Sequence, residues 1–397
     1  MAETRGTFIL SEVLLEIQDK SWVPPEEVFI NEPTPFTGYF GGGFTSSTMD
    51  KVSYSSDTTA AVPGASLSVA RGLLVATGNS TAGYFGGGAT PGPSLYSTMD
   101  KVTYSTDTRA QVPGAALSAA RYGLAATGNS TSGYFGGGRN ASVSFTTMDK
   151  VSYSTETRST VTEASLSAAR YGLAATGNSI SGYFGGGAVA PALHSTMDKV
   201  TYSTDTTIRV PGAPLSGVRF ALAATGNSIS GYFGGGSSAY STMDKVTYSI
   251  DTTARIPGGN LSVARRYLAA TGNSTSGYFG GGVAAAVVAT MEKITYSSDT
   301  RSTVTGANLS VARSQLAASS ARANALPVVN LTKSNNFISQ GSSFNSGYFG
   351  GGLSPGLRST MDKVAYSSDT TAAVPGASLS AARYALAATG NSTSGYF

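Results

Sequence analysis

The sequence predicts an all-β chain, a seven-bladed β-propeller with a short N-terminal extension, and three observations carry that expectation. The hexapeptide Gly-Tyr-Phe-Gly-Gly-Gly recurs at Gly38, Gly83, Gly133, Gly182, Gly231, Gly277 and Gly347, with a partial copy at Gly395-Tyr396-Phe397. Its successive intervals are 45, 50, 49, 49, 46, 70 and 48 residues, a period of about 50 that belongs to propeller arrays. Each unit reads as four short strands, the content of one blade.

The unit from Gly83 shows how those strands are read. Gly83 to Phe85 runs into three glycines, and Met99-Asp100-Lys101-Val102-Thr103-Tyr104 alternates polar and apolar residues with period two. A Ser-x-Asp-Thr turn at Ser105 to Thr108 leads to a short piece around Gln111-Val112 that stops at Pro113-Gly114. Ala120 to Thr127 is the last piece and ends in the Gly128-Asn129-Ser130 turn. A lone blade buries about five large side chains at ~1.5–3 kcal/mol each, against ~1–2 kcal/mol of backbone entropy for every ordered residue. Blades must therefore stack, and closing the ring leaves only short, protected edges.

Closure can be counted from the repeats. The Met-Asp-Lys type strand begins near Met49, Met99, Met148, Met197, Met243, Met291 and Met361, and the Arg-led strand at Arg71, Arg121, Arg170, Arg219, Arg265, Arg313 and Arg383. The first unit starts at its second strand, so the strand near Tyr384 to Thr389 is expected to complete it and join the chain ends. Residues 395–397 are then surplus, or the start of a continuation. This reading divides the chain into an N-terminal segment, 1–37, and a propeller, 38–397. An insertion of roughly twenty residues, about 320–345, falls in a first-to-second-strand turn, and it is expected on the face opposite the second-to-third-strand loops.

Residues 1–37 hold the only Trp, Trp22. Ser11 can cap a short helix with Val13, Leu14 and Ile17 on one face, ended by Pro24-Pro25. The segment is a strap packed on the propeller, or an adapter whose Trp22, Val13, Leu14 and Ile17 anchor it to something else.

Composition narrows the function. Charged residues are only 12% of the chain and the net charge is +4 with no Lys/Arg run, which argues against nucleic-acid binding. Hydrophobic residues at 40%, recurring at fixed places, argue against disorder. There is no Cys, so disulfides and thiol chemistry are excluded. No secretory signal and no stretch near the ~20 apolar residues of a membrane span is seen. His194 is the only histidine, so no histidine metal site or acid–base pair assembles. Neither a cofactor nor catalysis is expected.

The Ser-x-Asp-Thr turns partly resemble the Asp-box of sialidase propellers without its later Gly and aromatic residue. A turn capped by its own Asp explains their repetition. The Asp-Lys pairs and the ring of arginines are expected to form inter-blade hydrogen bonds and ion pairs, with a charged funnel as the alternative. The connection after each glycine run differs from blade to blade, carrying Phe44, Tyr96, Arg139, Phe145, His194, Tyr240 and Arg358. Divergent loops on a uniform scaffold read as a recognition surface, against neutral drift in exposed loops.

The blade resembles the kelch family in its glycine run Gly86 to Gly88, in Tyr104 and in Arg121, and departs from it in lacking an outer-strand Trp. The whole chain resembles the Gly-Tyr-Phe-Gly-Gly-Gly repeat proteins in virions of tailed phages that infect marine cyanobacteria. The near-identical blades, the Gly-Asn-Ser-Thr-Ser-Gly-Tyr-Phe linkers and the Trp-Val-Pro segment at Trp22 to Pro24 carry that likeness. It implies a virion location, tail or fibre, with other virion proteins as partners of the N-terminal segment and a host-surface glycan or protein, or a neighbouring subunit, as partner of the loops. A homo-oligomer stays open, and no membrane insertion is expected. A cellular scaffold or carbohydrate-binding lectin is the alternative.

Overall fold

The computed structural model describes residues 37–320, except Pro93 and residues 238–239, and beyond them the backbone of Ser346–Gly350, Met361–Ala365, Thr370–Ala373, Thr389–Gly390 and Gly395–Tyr396. The Gly-Tyr-Phe-Gly strand explains the architecture. Period two sends its Tyr and Phe to opposite faces of the sheet, so each blade has an aromatic for both neighbours. Tyr84 lies in a cluster with Phe135 and Tyr153 of the following blade. Phe85 packs with Tyr39 and Met49 of the preceding one. The core is accordingly six slabs, one between each pair of blades.

The ring has six blades, not the seven expected. Each is a four-stranded antiparallel meander. Blades two to six use strands in chain order, as in Val75–Gly78, Ala82–Gly86, Met99–Thr103 and Thr108–Gln111, with a small hairpin, Ala188–Val189 and Ala192–Leu193, inserted between the second and third strands of blade four. Blade one consists of Thr37–Gly41, Met49–Ser53 and Thr58–Ala61, and its inner strand is Ala317–Ser320, with Gly38 opposite Ser320 and Gly41 opposite Ala317. The strand near Tyr384 to Thr389 therefore does not close the ring. Residues 329–397 form a second compact unit. Within it Ser346–Gly350, Met361–Ala365 and Thr370–Ala373 make a three-stranded sheet, and Thr389–Gly390 pairs with Gly395–Tyr396.

Closure is written in the backbone at the axis. Leu73, Gly123, Gly172, Ala221, Tyr267 and Gln315 all take positive φ, between 56° and 65°. Each N–H donates to the carbonyl of its counterpart in the preceding blade, at 2.6 to 2.8 Å, and Leu73 completes the circle on Gln315. Beneath this hydrogen-bonded ring the inner strands surround a cavity of about 110 Å³ lined by Leu74–Ala76 and its five equivalents. Alanine at the axis lets six strands approach closely without overpacking.

Side-chain rings repeat the closure further out. Six tyrosine pairs stack between blades, from Tyr39 on Tyr104 to Tyr278 on Tyr54, with centroids 4.7 to 5.0 Å apart. Beside them Lys51, Lys150, Lys199, Lys245 and Lys293 pair with Asp107, Asp205, Asp251, Asp299 and Asp57, and Lys101 with Glu156. The acidic residues of the Ser-x-Asp-Thr turns thus bind the preceding blade instead of capping their own turns. All six sit at positive φ, which Asp tolerates better than most residues.

The first glycine of the hexapeptide is a packing requirement. A Cβ on Gly182 would lie 2.4 Å from Thr127 Cγ2 of the preceding blade and 2.7 Å from Tyr202 Oη. Gly182→Ala is expected to cost about 1–3 kcal/mol, the usual scale of overpacking, read as a lower urea midpoint. An unchanged midpoint would show that the blades have room to spread.

Candidate functional site

An antiparallel meander puts the second-to-third-strand loops and the inter-blade connections at one end of the ring. We call this end the loop face. The first-to-second-strand turns lie at the other. Thr37 and Ser320 are at that turn end, as neighbours in blade one, so the segments preceding 37 and following 320 join the ring opposite the loop face. The insertion expected at about 320–345 lies, apart from Ser320, outside the described residues. Trp22, Val13, Leu14, Ile17 and Arg358 lie outside the described residues.

The other sequence candidates do sit on the loop face, in different environments. Tyr96, Phe145 and Tyr240 are half-buried, their rings 5.7 to 5.8 Å from the guanidinium carbons of Arg71, Arg121 and Arg219. They roof a ring of buried arginines. Each arginine bonds a buried carboxylate of the blade whose inner strand it leads, not of a neighbouring blade as expected: Arg71 to Asp100, Arg121 to Asp149, Arg170 to Asp198, Arg219 to Asp244, Arg265 to Glu292 and Arg313 to Asp50. Burial pushes the pKa of all six arginines down and the paired carboxylates oppose it. His194 is half-buried at the position equivalent to Phe145, its backbone N–H donating to the Gly187 carbonyl and its Nε2 buried without a partner. Phe44 is exposed, at 42%.

Arg139 leads to a group of residues that the sequence reading passed over. It extends the second strand of blade three opposite Tyr122, and its guanidinium carbon lies 4.8 Å from the centroid of Tyr171 in blade four. Tyr171 meets Phe220 of blade five edge-on at 6.0 Å, and Phe220 meets Tyr267 of blade six at 6.1 Å. Arg266 stands 5.7 Å from the Tyr267 ring. Tyr171, Phe220 and Tyr267 thus form an aromatic crescent at the axial mouth, where Leu73, Gly123, Gly172, Ala221, Tyr267 and Gln315 line an opening of about 70 Å³, and Tyr122 of blade three stands at the position equivalent to Tyr171. The remaining arc carries Gly72 and Ser314 at the positions equivalent to Tyr122.

The tight approach of the rings is built into the backbone. A Cβ on Gly172 would lie 2.8 Å from Phe220, and one on Gly123 3.5 Å from Tyr171, so each ring lies over a glycine of the preceding blade. Burial raises the Tyr267 pKa, partly opposed by the charge of Arg266 and reinforced by Tyr171 and Tyr122. The phenol therefore stays neutral and can both donate and accept. Among the described residues no group of His, Cys, Asp or Glu is arranged to hold a metal ion, and no helix is long and apolar enough to cross a membrane.

The fold defines a β-propeller of repeated blades, consistent with a kelch-like propeller. No protein-family model matches the chain, and no curated protein matches it.

Proposed function

We propose that the ring is a recognition scaffold that presents its loop face, and that the chain is a structural component of a phage virion, tail or fibre associated, held to the particle by its N-terminal segment. One observation carries the recognition reading: the blades are uniform where they bind one another, and they differ at the axial mouth of the loop face, where free hydroxyls and guanidiniums gather. The virion reading draws on the resemblance of the repeats and of the Trp22 to Pro24 segment to phage proteins. Attachment of residues 1–36 at the turn end suits it, because an anchor there leaves the loop face outward, toward a host surface or a neighbouring subunit. We assign no catalytic role. Among residues 37–320 the lysines and carboxylates, Glu163 excepted, are committed to ion pairs.

Deleting residues 1–36 is expected to leave a folded ring and abolish incorporation into particles. Truncated chain recovered in purified particles would sink the anchoring idea. Absence of the intact chain from particles would instead favour a cellular scaffold or lectin, for which the aromatic crescent is the supporting feature.

A further inference from the structure

We propose that the aromatic crescent at the axial mouth binds an anionic saccharide, a ligand class that rests on the recognition reading above and makes it specific. Besides Tyr96 and Tyr240, which roof buried arginines, two kinds of tyrosine are present. Those between blades are stacked in pairs, whereas the hydroxyls of Tyr122, Tyr171 and Tyr267 have no hydrogen-bond partner among the described residues and are not buried orphans. Beside them Arg139 spends only its Nε, on the Asn140 carbonyl at 3.2 Å, and Arg266 is exposed. Neither guanidinium has a carboxylate within ion-pairing distance among the described residues.

The positive charge at this mouth is thus unbalanced, and it sits against apolar ring faces and hydroxyls. A ligand that complements all three has apolar C–H faces, many hydroxyls and negative charge, which describes a uronic or sulfated sugar. Guanidinium forks suit carboxylate and sulfate alike. Stacked bases suit the site less well: the neighbouring rings meet at 60° and 85°, so no parallel slot opens for a base, and two charges make a short track for a phosphate backbone.

The test is calorimetric titration of the full-length chain with a galacturonate hexamer, its neutral methyl ester, a sulfated hexasaccharide and a ten-residue oligothymidylate. One of the two acidic sugars is expected to bind, and removing its charge to weaken binding about tenfold or more. Arg139→Gln and Arg266→Gln should each weaken it about tenfold, and Tyr171→Ala and Phe220→Ala similarly. Each variant's melting curve establishes that it is folded. Arg209 and Arg255, on the outer strands Thr206–Arg209 and Thr252–Arg255, also lack a carboxylate within ion-pairing distance among the described residues, and Arg209→Gln and Arg255→Gln should change nothing. Equal losses from those two would reduce the effect to diffuse charge and overturn the proposal. So would equal binding of the methyl ester, stronger binding of the oligothymidylate, or no binding of either acidic sugar. If sugars fail while the crescent variants still lose attachment to particles or cells, only the ligand class falls. If attachment survives in those variants, the recognition reading falls with it.

Discussion

A chain ending at Val328 is expected to keep the melting midpoint and cooperativity of the ring, whereas one ending at Ala312 should not fold. The first cut removes the second unit and no strand of the six blades. The second removes Arg313, which holds Asp50 of blade one at 2.8 Å, the Gln315 link of the axial hydrogen-bonded circle, Leu316 of the slab between blades six and one, and the whole strand Ala317–Ser320. It also exposes the edge of Thr37–Gly41. Together these losses are on the order of the ~5–15 kcal/mol by which an entire domain is stable. Thermal denaturation followed by circular dichroism decides the matter. A folded 1–312 would refute closure by the strand at 317–320. An unfolded 1–328 beside a folded full-length chain would show that the seventh repeat is needed.

The sequence revealed the blade but not the number of blades, and the reason is specific. Period, alternation and turn residues are local properties, and they identify the strand that begins at Gly83 or Met99 without knowledge of its partners. Closure depends on which distant strand pairs with Thr37–Gly41, and two segments of similar character compete, Ala317–Ser320 and the one ending Thr389-Gly390. The deciding signal lay in single residues. Blades two to six end their inner strand in Gly, as at Gly78 and Gly128, because a Cβ there would lie 2.3 Å from the carbonyl across the tight turn. Ser320 stands at that position in the closing strand, whose partner across the sheet is Gly38 at the start of the ring and not the next residues along the chain. Gly390 keeps the glycine and does lead into a hairpin, with Gly390 opposite Gly395. In this ring the lost turn glycine marks the final strand.

The candidate site was legible in a different proportion. Variation after the glycine runs pointed to the loop face and picked out Arg139. Tyr96, Phe145 and Tyr240 vary in chemistry but share one task, roofing a buried arginine, and a sequence does not show what a ring covers. The crescent was hidden because Tyr122, Tyr171 and Phe220 sit inside a strand read as uniform. Comparing the residue after each leading arginine, Gly72, Tyr122, Tyr171, Phe220, Arg266 and Ser314, would have exposed a position as variable as the loops. Positive φ was visible only where glycine occupies it, at Gly123 and Gly172. Leu73, Ala221, Tyr267 and Gln315 adopt the same conformation because the axial hydrogen-bonded circle holds them there, against a cost of about 1–2 kcal/mol per residue.

The buried arginines carry the largest expected effect of a single substitution. Arg170 donates to Thr196 Oγ1 at 2.6 Å, to the Phe184 carbonyl at 3.1 Å and to Asp198 at 2.9 Å, with both charged groups fully buried. Asp198 also accepts from the Ser167 amide at 3.0 Å and hydroxyl at 2.7 Å. Arg170→Met keeps much of the volume but leaves a buried carboxylate with neutral donors only, and removing one partner of such a pair costs about 3–5 kcal/mol. Lys199→Met breaks an ion pair of similar length, 2.8 Å to Asp251, whose side chains are 21% and 33% exposed; solvent screening holds its worth to about 0–1 kcal/mol. The double variant Arg170→Met, Asp198→Asn removes both buried charges while keeping an acceptor for Ser167. It is expected to recover at least about half of the loss, because desolvating the pair offsets much of its attraction. Urea denaturation of the wild type, Arg170→Met, Asp198→Asn and the double variant closes the cycle, with Lys199→Met measured beside them. Equal losses for Arg170→Met and Lys199→Met, or a double variant no better than the single one, would mean that the arginine acts through packing and not through its charge.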